Sequence, residues 1–261
     1  MATRNIFRLF EPSYYCKEKS WLTIGDAYGH DSHYLIKQGI QNVTASDLNE
    51  DFLKVSQELG LINEFSIENA EMLSMGDDQV DYILCKESYH HFPRPYAALY
   101  EMIRVAREAI IIIEPQDPIS KMPLLLSLFN ICGKINQDFI NKIWKNRFSF
   151  EPVGNYVYKV SEREFEKFAA GLGLKMIAIK PINPNFWFPG SNKEPAANSN
   201  KNFKSIKFKK ATRDILCNLG IVPSQTLAII VFKKTPNTDV LISMKSNGYK
   251  VINIPKNPYL E

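Results

Sequence analysis

The chain has 261 residues, 45% of them hydrophobic and 23% charged, with a formal net charge of +4. That is the composition of a soluble globular protein, and the charge is too small to imply a nucleic-acid partner by itself. Four scattered cysteines, Cys16, Cys85, Cys132 and Cys217, form no Cys-x-x-Cys pair. They argue against a zinc site and a disulfide framework and for a reduced, cytoplasmic setting. The opening segment has no apolar run of the secretory type, and "MPLLLSLFNICG" falls short of the roughly 20 residues that span a bilayer.

The elements follow in chain order. "WLTIG" reads as a strand and "DSHYLIKQG" as a helix closed by Gly39. "NVTASD" is a second strand. "NEDFLKVSQELG" places Phe52, Val55 and Leu59 on one helix face, and Gly60 ends it. "EFSIEN" is a third strand and "QVDYILC" a fourth, apolar enough to be covered on both faces. "PYAALYEMIRVARE" reads as a helix with Tyr96, Leu99, Ile103 and Ala106 inward, and "AIIIIE" as a fifth strand. This alternation predicts a doubly wound α/β fold with a mostly parallel sheet, whose ligands sit at the carboxyl ends of the strands.

Beyond Glu114 the rhythm changes. Residues 118–150 carry helical, apolar patterning with Trp144 and Phe148 near their end. "SEREFEKFAAGLGL" has Ser161 as N-cap, Glu164 at the capping-box position and Gly171 or Gly173 as its stop. "KMIAIK" and "TLAIIVFKK" are two more strands, making seven. Asn247-Gly248, between runs read as β-rich, predicts a C-terminal hairpin. The expected organisation is one domain over 1–234, with a helical lid insertion at 118–157, a loop and basic segment at 181–213, and an extension at 235–261.

With those pieces in place, residues 20–115 resemble the core of the class I S-adenosylmethionine-dependent methyltransferases. "LTIGDAYGHD" is similar to that family's first motif, "VTASDLN" to its second strand with a terminal acid, and "IENAEML" to the segment that meets adenine. "VDYILCKESYHHF" and "ALYEMIRVAREAIIIIEP" resemble the fourth strand and the next helix and strand. The resemblance implies a Rossmann-like sheet and S-adenosyl-L-methionine as cofactor. It implies cofactor contacts from Gly25, Asp26, Gly29, Asp47, Asn69, Ala70, Glu71 and Lys86.

The residues support such a site. Gly25 and Gly29 allow a tight turn and a close backbone approach, and the helix start beyond them is expected to present free N–H groups. Asp47 ends the second strand, where two carboxylate oxygens can accept from two ribose hydroxyls. The spacing from Gly25 to Gly29 does not fit the GxGxxG of nicotinamide enzymes. Thr23 stands where the family's leading acid is usual, so Asp26 or Asp31 is the candidate replacement.

"KESYHHFPRP" places His90 and His91 just past the fourth strand. Some small-molecule O-methyltransferases of the class, including ones acting on sugars, look similar here, with an acid after the fifth strand. The counterpart of that acid is Glu114, with Asp117 as rival. A neutral imidazole can take the proton from an alcohol acceptor, and a carboxylate behind it fixes its tautomer. His91, one residue further from the strand, is the expected base and His90 the second candidate. His30 and His33 read as structural. Because adjacent histidines seldom face one point, no metal is expected.

Tyr14, Tyr15, Trp21, Phe186, Trp187 and Phe188 are candidate walls for an acceptor pocket. Lys201, Lys204, Lys207, Lys209, Lys210 and Arg213 form a basic run, read either as a solvated helix face or as a phosphate contact. The expected activity is methyl transfer to a small-molecule hydroxyl, a sugar or nucleotide-sugar in polysaccharide or secondary-metabolite biosynthesis. An RNA or protein methyltransferase and a non-catalytic binding module are the alternatives. The expected partner is a small-molecule acceptor, without nucleic acid or a membrane span, and a homodimer is left open.

Overall fold

The computed structural model describes residues 17–117, 122–143, 148–152, 154–184 and 199–259. Tyr14, Tyr15, Cys16, Trp144, Phe186, Trp187 and Phe188 lie outside them.

Five parallel strands build the N-terminal half: β1 Ser20–Ile24, β2 Asn42–Asp47, β3 Glu64–Ile67, β4 Val80–Lys86 and β5 Ala106–Pro115. Between them run α1 His30–Lys37, α2 Asp51–Glu58 and α3 Pro95–Val105. Then come α4 Pro123–Ile135, α5 Gln137–Ile143, α6 Glu162–Gly171, β6 Met176–Ile182, α7 Lys201–Asn218, β7 Thr226–Phe232, α8 Thr238–Ser246 and β8 Lys250–Asn253. One sheet joins the strands in the order β3-β2-β1-β4-β5-β7-β6-β8. β7 is antiparallel to β5 and β6, and β8 is antiparallel to β6.

Alternation along the central strands feeds two cores. Ile110 and Ile112 of β5 pack with Ile83 and Leu22 beneath Leu99 and Met102 of α3 and Phe165 of α6. Ala109, Ile111 and Ile113 face the other way, with Leu84, Trp21, Leu35 of α1 and Met244 of α8. A strand buried on both faces must be apolar throughout, which is why "AIIIIE" carries no period-two polarity.

Several local expectations are corrected. Phe52 and Val55 of α2 and Leu59, its C-cap, are 48%, 50% and 68% exposed, while Leu53 and Ser56 are buried. Their spacing marks one helix face, but the opposite face meets the sheet, with Leu53 against Ala45 and Ile62. In α3, Leu99 and Ile103 are buried as expected, with Ala98 and Met102, but Tyr96 is 48% exposed. Ala106 is buried as the first residue of β5. The sheet has eight strands rather than seven, because the C-terminal extension adds β8 in antiparallel pairing. The run before Asn247-Gly248 forms α8, capped by Asn237 accepting from the Val240 N–H at 2.8 Å, and Gly248 at φ 81° ends it. Ser161 and Glu164 form the expected capping box of α6.

Part of the 118–157 insertion is described and holds α4 and α5, and the basic run lies on α7, where no residue is buried. Among the described residues no helix is long and apolar enough to cross a membrane.

Candidate active site

The strands β1, β2, β4 and β5 bring Gly25, Asp47, Lys86 and Glu114 to one edge of the sheet. At Gly25 the chain adopts φ 69°, and a Cβ there would stand 2.5 Å from the Cβ of Ser88. Ser88 Oγ donates to the Gly25 carbonyl at 2.8 Å. The loop after β1 is thus locked to the turn after β4, and only glycine fits that contact. Gly29, at φ 64°, also allows a close approach: a Cβ there would stand 2.8 Å from Ile62 Cγ2.

Asp26 departs from its expected role. It is 5% exposed, and its carboxylate accepts the Asp31 N–H at 3.1 Å, the Ser32 N–H at 2.9 Å and the Thr23 hydroxyl at 3.0 Å. The next N–H, of His33, goes to the Gly29 carbonyl. The start of α1 is therefore capped from within rather than left free, and Thr23 serves this cap instead of a ligand. Asp31 forms an ion pair with Lys86 at 3.1 Å. Burial pushes its carboxyl up to about 6, against the pull of Lys86. Burial works to lower the Lys86 ammonium, yet Asp31 and Glu87 hold it above its ordinary range. Glu87 itself sits at φ 51°, a left-handed conformation unusual outside glycine, at the bend leaving β4.

Asp47 is half-buried at the end of β2, and its Oδ1 accepts the Asn49 N–H at 3.0 Å. Asn69 is exposed and Ala70 buried, in a turn that Asn69 stabilises by accepting the Glu71 N–H at 3.0 Å. Glu71 accepts the backbone N–H of Arg94 at 2.6 Å and its Nε–H at 2.7 Å. Sequence reasoning passed over Leu48 and Met72, next to these positions and 71% and 73% exposed. A large apolar residue directly after a strand-ending acid was the available signal for Leu48.

Past β4, Tyr89–His91 form a short 3-10 turn. Fully buried Glu114 accepts the N–H groups of Ser88 and Tyr89 through Oε1, both at 2.8 Å. Its Oε2 lies 2.5 Å from His90 Nδ1. Burial works to lower the pKa of the His90 imidazole, but the Glu114 carboxylate outweighs it and holds the ring above its ordinary value. Glu114 thus meets His90 and not His91. Instead, Nδ1 of His91 lies 3.0 Å from Oε2 of Glu151, a partner that no local pattern in the sequence announces. Asp117 follows the strand and gives its N–H to the Val160 carbonyl. His33 is structural, with Nδ1 2.6 Å from the Leu61 carbonyl, and His30 packs its ring on Tyr28.

Trp21 is 2% exposed beneath the sheet and cannot wall a pocket. Arg213 is tied to Asn183, and Lys210 to Asp214 at 2.5 Å, so two members of the basic run serve the fold.

Comparison with known proteins relates part of this chain to methyltransferases. Residues 22–113 match the family model described as "Methyltransferase domain". No curated protein is significantly similar to the chain. Among solved structures, a SAM-dependent methyltransferase from Archaeoglobus fulgidus is 18% identical with a TM-score of 0.54, over 89% of this chain and 95% of that one. The 1,6-didemethyltoxoflavin-N1-methyltransferase of Burkholderia thailandensis, with bound S-adenosylhomocysteine, is 13% identical with a TM-score of 0.51, over 89% and 83%. Magnesium protoporphyrin IX methyltransferase of Synechocystis, with bound SAH, is 13% identical with a TM-score of 0.50, over 87% and 80%. At these identities the structural likenesses establish the fold.

Proposed function

We propose that the chain is a class I S-adenosylmethionine-dependent methyltransferase, a reading supported by the methyltransferase-domain match over residues 22–113, and that it moves a methyl group to a hydroxyl oxygen of a small molecule, with a sugar or nucleotide-linked sugar as the favoured acceptor. The residues at the carboxyl edge fit the cofactor. Among the described residues Oδ2 of Asp47 has no hydrogen-bond partner, so the carboxylate can take ribose hydroxyls. Exposed Leu48 and Met72 offer apolar surface that an adenine ring would cover beside Asn69 and Ala70. Asp26 is left out of this set because its oxygens cap α1. Lys86 and Glu71 are engaged by Asp31 and Arg94, and support the site by holding its loops.

When bound, S-adenosylmethionine supplies a methyl group already activated by its sulfonium for in-line displacement. The chain's own task is alignment, worth roughly 7–11 kcal/mol, and removal of the acceptor's proton, worth about 10²–10⁴-fold. With Nδ1–H donated to Glu114, His90 keeps the lone pair on Nε2 and can take that proton there. The adjacent carboxylate then stabilises the imidazolium. This reading assigns the base to His90 rather than His91, and the observation that carries it is the contact between His90 and a fully buried Glu114.

Helices α4 and α5 expose Leu128, Ile131, Ile135 and Phe139, which suits the role of a lid over an acceptor. Cys85, Cys132 and Cys217 are free thiols, in keeping with a cytoplasmic location.

The test is an acceptor screen with methyl-labelled S-adenosylmethionine against free sugars, nucleotide sugars and phenols, with total RNA and cell protein as further arms. Label on a small-molecule hydroxyl is the expected result. Label confined to RNA or protein would overturn the reading in favour of a macromolecular substrate, for which the exposed lysines of α7 are the supporting feature.

A further inference from the structure

His90, His91 and Glu151 come together in a way the sequence argued against. Neighbouring residues in a 3-10 turn project about 120° apart. Here the two imidazoles nonetheless lie with ring centroids 3.9 Å apart at 43°. Glu151 arrives from a segment 60 residues further on and sets Oε2 at 3.0 Å from Nδ1 of His91. One ring nitrogen of each histidine and a Glu151 oxygen all lie within 4.8 Å of one another.

We propose that His90, His91 and Glu151 form a binding site for a divalent transition-metal ion of the zinc class. Two imidazoles and one carboxylate are a donor set for zinc, with nitrogen and oxygen ligands at about 2.0–2.2 Å. Ligand atoms around such an ion stand about 3.3 Å apart, so the triad closes with small side-chain shifts. Glu114 already supplies the outer carboxylate that metal-ligating histidines usually have, because it engages Nδ1 of His90 and leaves Nε2 for the ion. His91 is 39% and Glu151 28% exposed at the side chain, so the ion can enter from solvent. Three protein ligands leave a fourth position open.

The consequence for turnover rests on the proposed function. The ion needs the same Nε2 that His90 uses as base, so zinc occupancy and proton removal exclude each other. Zinc at this site inhibits methyl transfer.

The experiment reads binding without turnover. Zinc chloride is titrated calorimetrically into chelator-treated, full-length protein, and cobalt(II) is followed in parallel by visible absorption. The expected result is one saturable equivalent of zinc, with cobalt bands of a four-coordinate nitrogen and oxygen site. His91→Gln and Glu151→Gln, two partly exposed positions checked for folding by circular dichroism, each weaken zinc binding by at least about tenfold. No saturable binding to the wild type, or equal binding to wild type and both variants, overturns the site. If zinc binds as described but labelled methyl transfer is unaffected by it, the site stands and the assignment of His90 as base falls.

Discussion

Glu114 holds the imidazole of His90 with one carboxylate oxygen, Oε2 to Nδ1 at 2.5 Å, and the backbone of the same turn with the other. Ring orientation, tautomer and turn conformation are thus set by one buried group. The chemistry assigned to His90 depends on that coupling.

Glu114→Gln separates these duties. The glutamine carbonyl can still accept the two N–H groups, so stability should change little. Its amide would donate to Nδ1 and force the ring proton onto Nε2, the wrong tautomer for a base. Turnover should fall by roughly 10²–10⁴-fold at unchanged cofactor affinity. Glu114→Ala should in addition lower stability by about 1–3 kcal/mol for each orphaned buried donor. Denaturant unfolding beside steady-state kinetics measures both.

The pH dependence has a defined sign. Glu114 holds the His90 pKa above its ordinary value of about 6.5 despite burial, and the base works only when neutral. kcat/KM should therefore rise with pH through an ionisation above about 6.5. Protonated His90 is favoured by folding, so its contribution to stability is full below about 6.5 and is lost as pH rises through the folded value. His90→Gln should remove that pH-dependent part of the unfolding free energy.

The Asp31–Lys86 pair makes a second pH-dependent prediction. Asp31 titrates at about 6, raised chiefly by burial. A raised carboxyl contributes stability that is full below its unfolded value of about 3.9 and lost as pH rises through about 6. Lys86→Met removes the counter-charge and should destabilise by about 3–5 kcal/mol at pH 7.5. The loss should shrink as pH falls below 6, and Lys86→Met with Asp31→Asn should recover most of it. Thermal melts across that range test this, and a pH-independent loss contradicts it.

Asp47→Ala should weaken S-adenosylmethionine by about 10- to 100-fold, the worth of one or more hydrogen bonds to a charged acceptor. Calorimetry gives the constant directly. A change within twofold would remove Asp47 from the ribose.

The central strands were legible because burial on both faces demands unbroken apolar runs, as in Ile110–Ile113. Their parallel direction followed from strand–helix alternation, and that direction brings Asp47, His90 and Glu114 to one edge. Less legible was whatever depends on which side an element turns to the core. Phe52, Val55 and Leu59 have helical spacing, but spacing does not say which face meets the sheet. The start of α1 looked open because its N–H groups are countable in sequence, whereas their capture by Asp26 is a matter of three-dimensional approach. Glu151 reaches His91 across 60 residues with no local signal, and the choice between His90 and His91 turns on which one faces Glu114.

The most direct test of the account replaces each histidine in turn. Single-turnover methyl transfer to the acceptor found by the screen is measured at saturating cofactor for wild type, His90→Gln and His91→Gln in chelator-treated buffer. Loss of the base at His90 should slow transfer by roughly 10²–10⁴-fold with cofactor affinity within twofold, while His91→Gln stays within about tenfold of wild type. A His90→Gln enzyme that keeps more than a tenth of the wild-type rate would contradict the account and leave alignment alone as the source of catalysis.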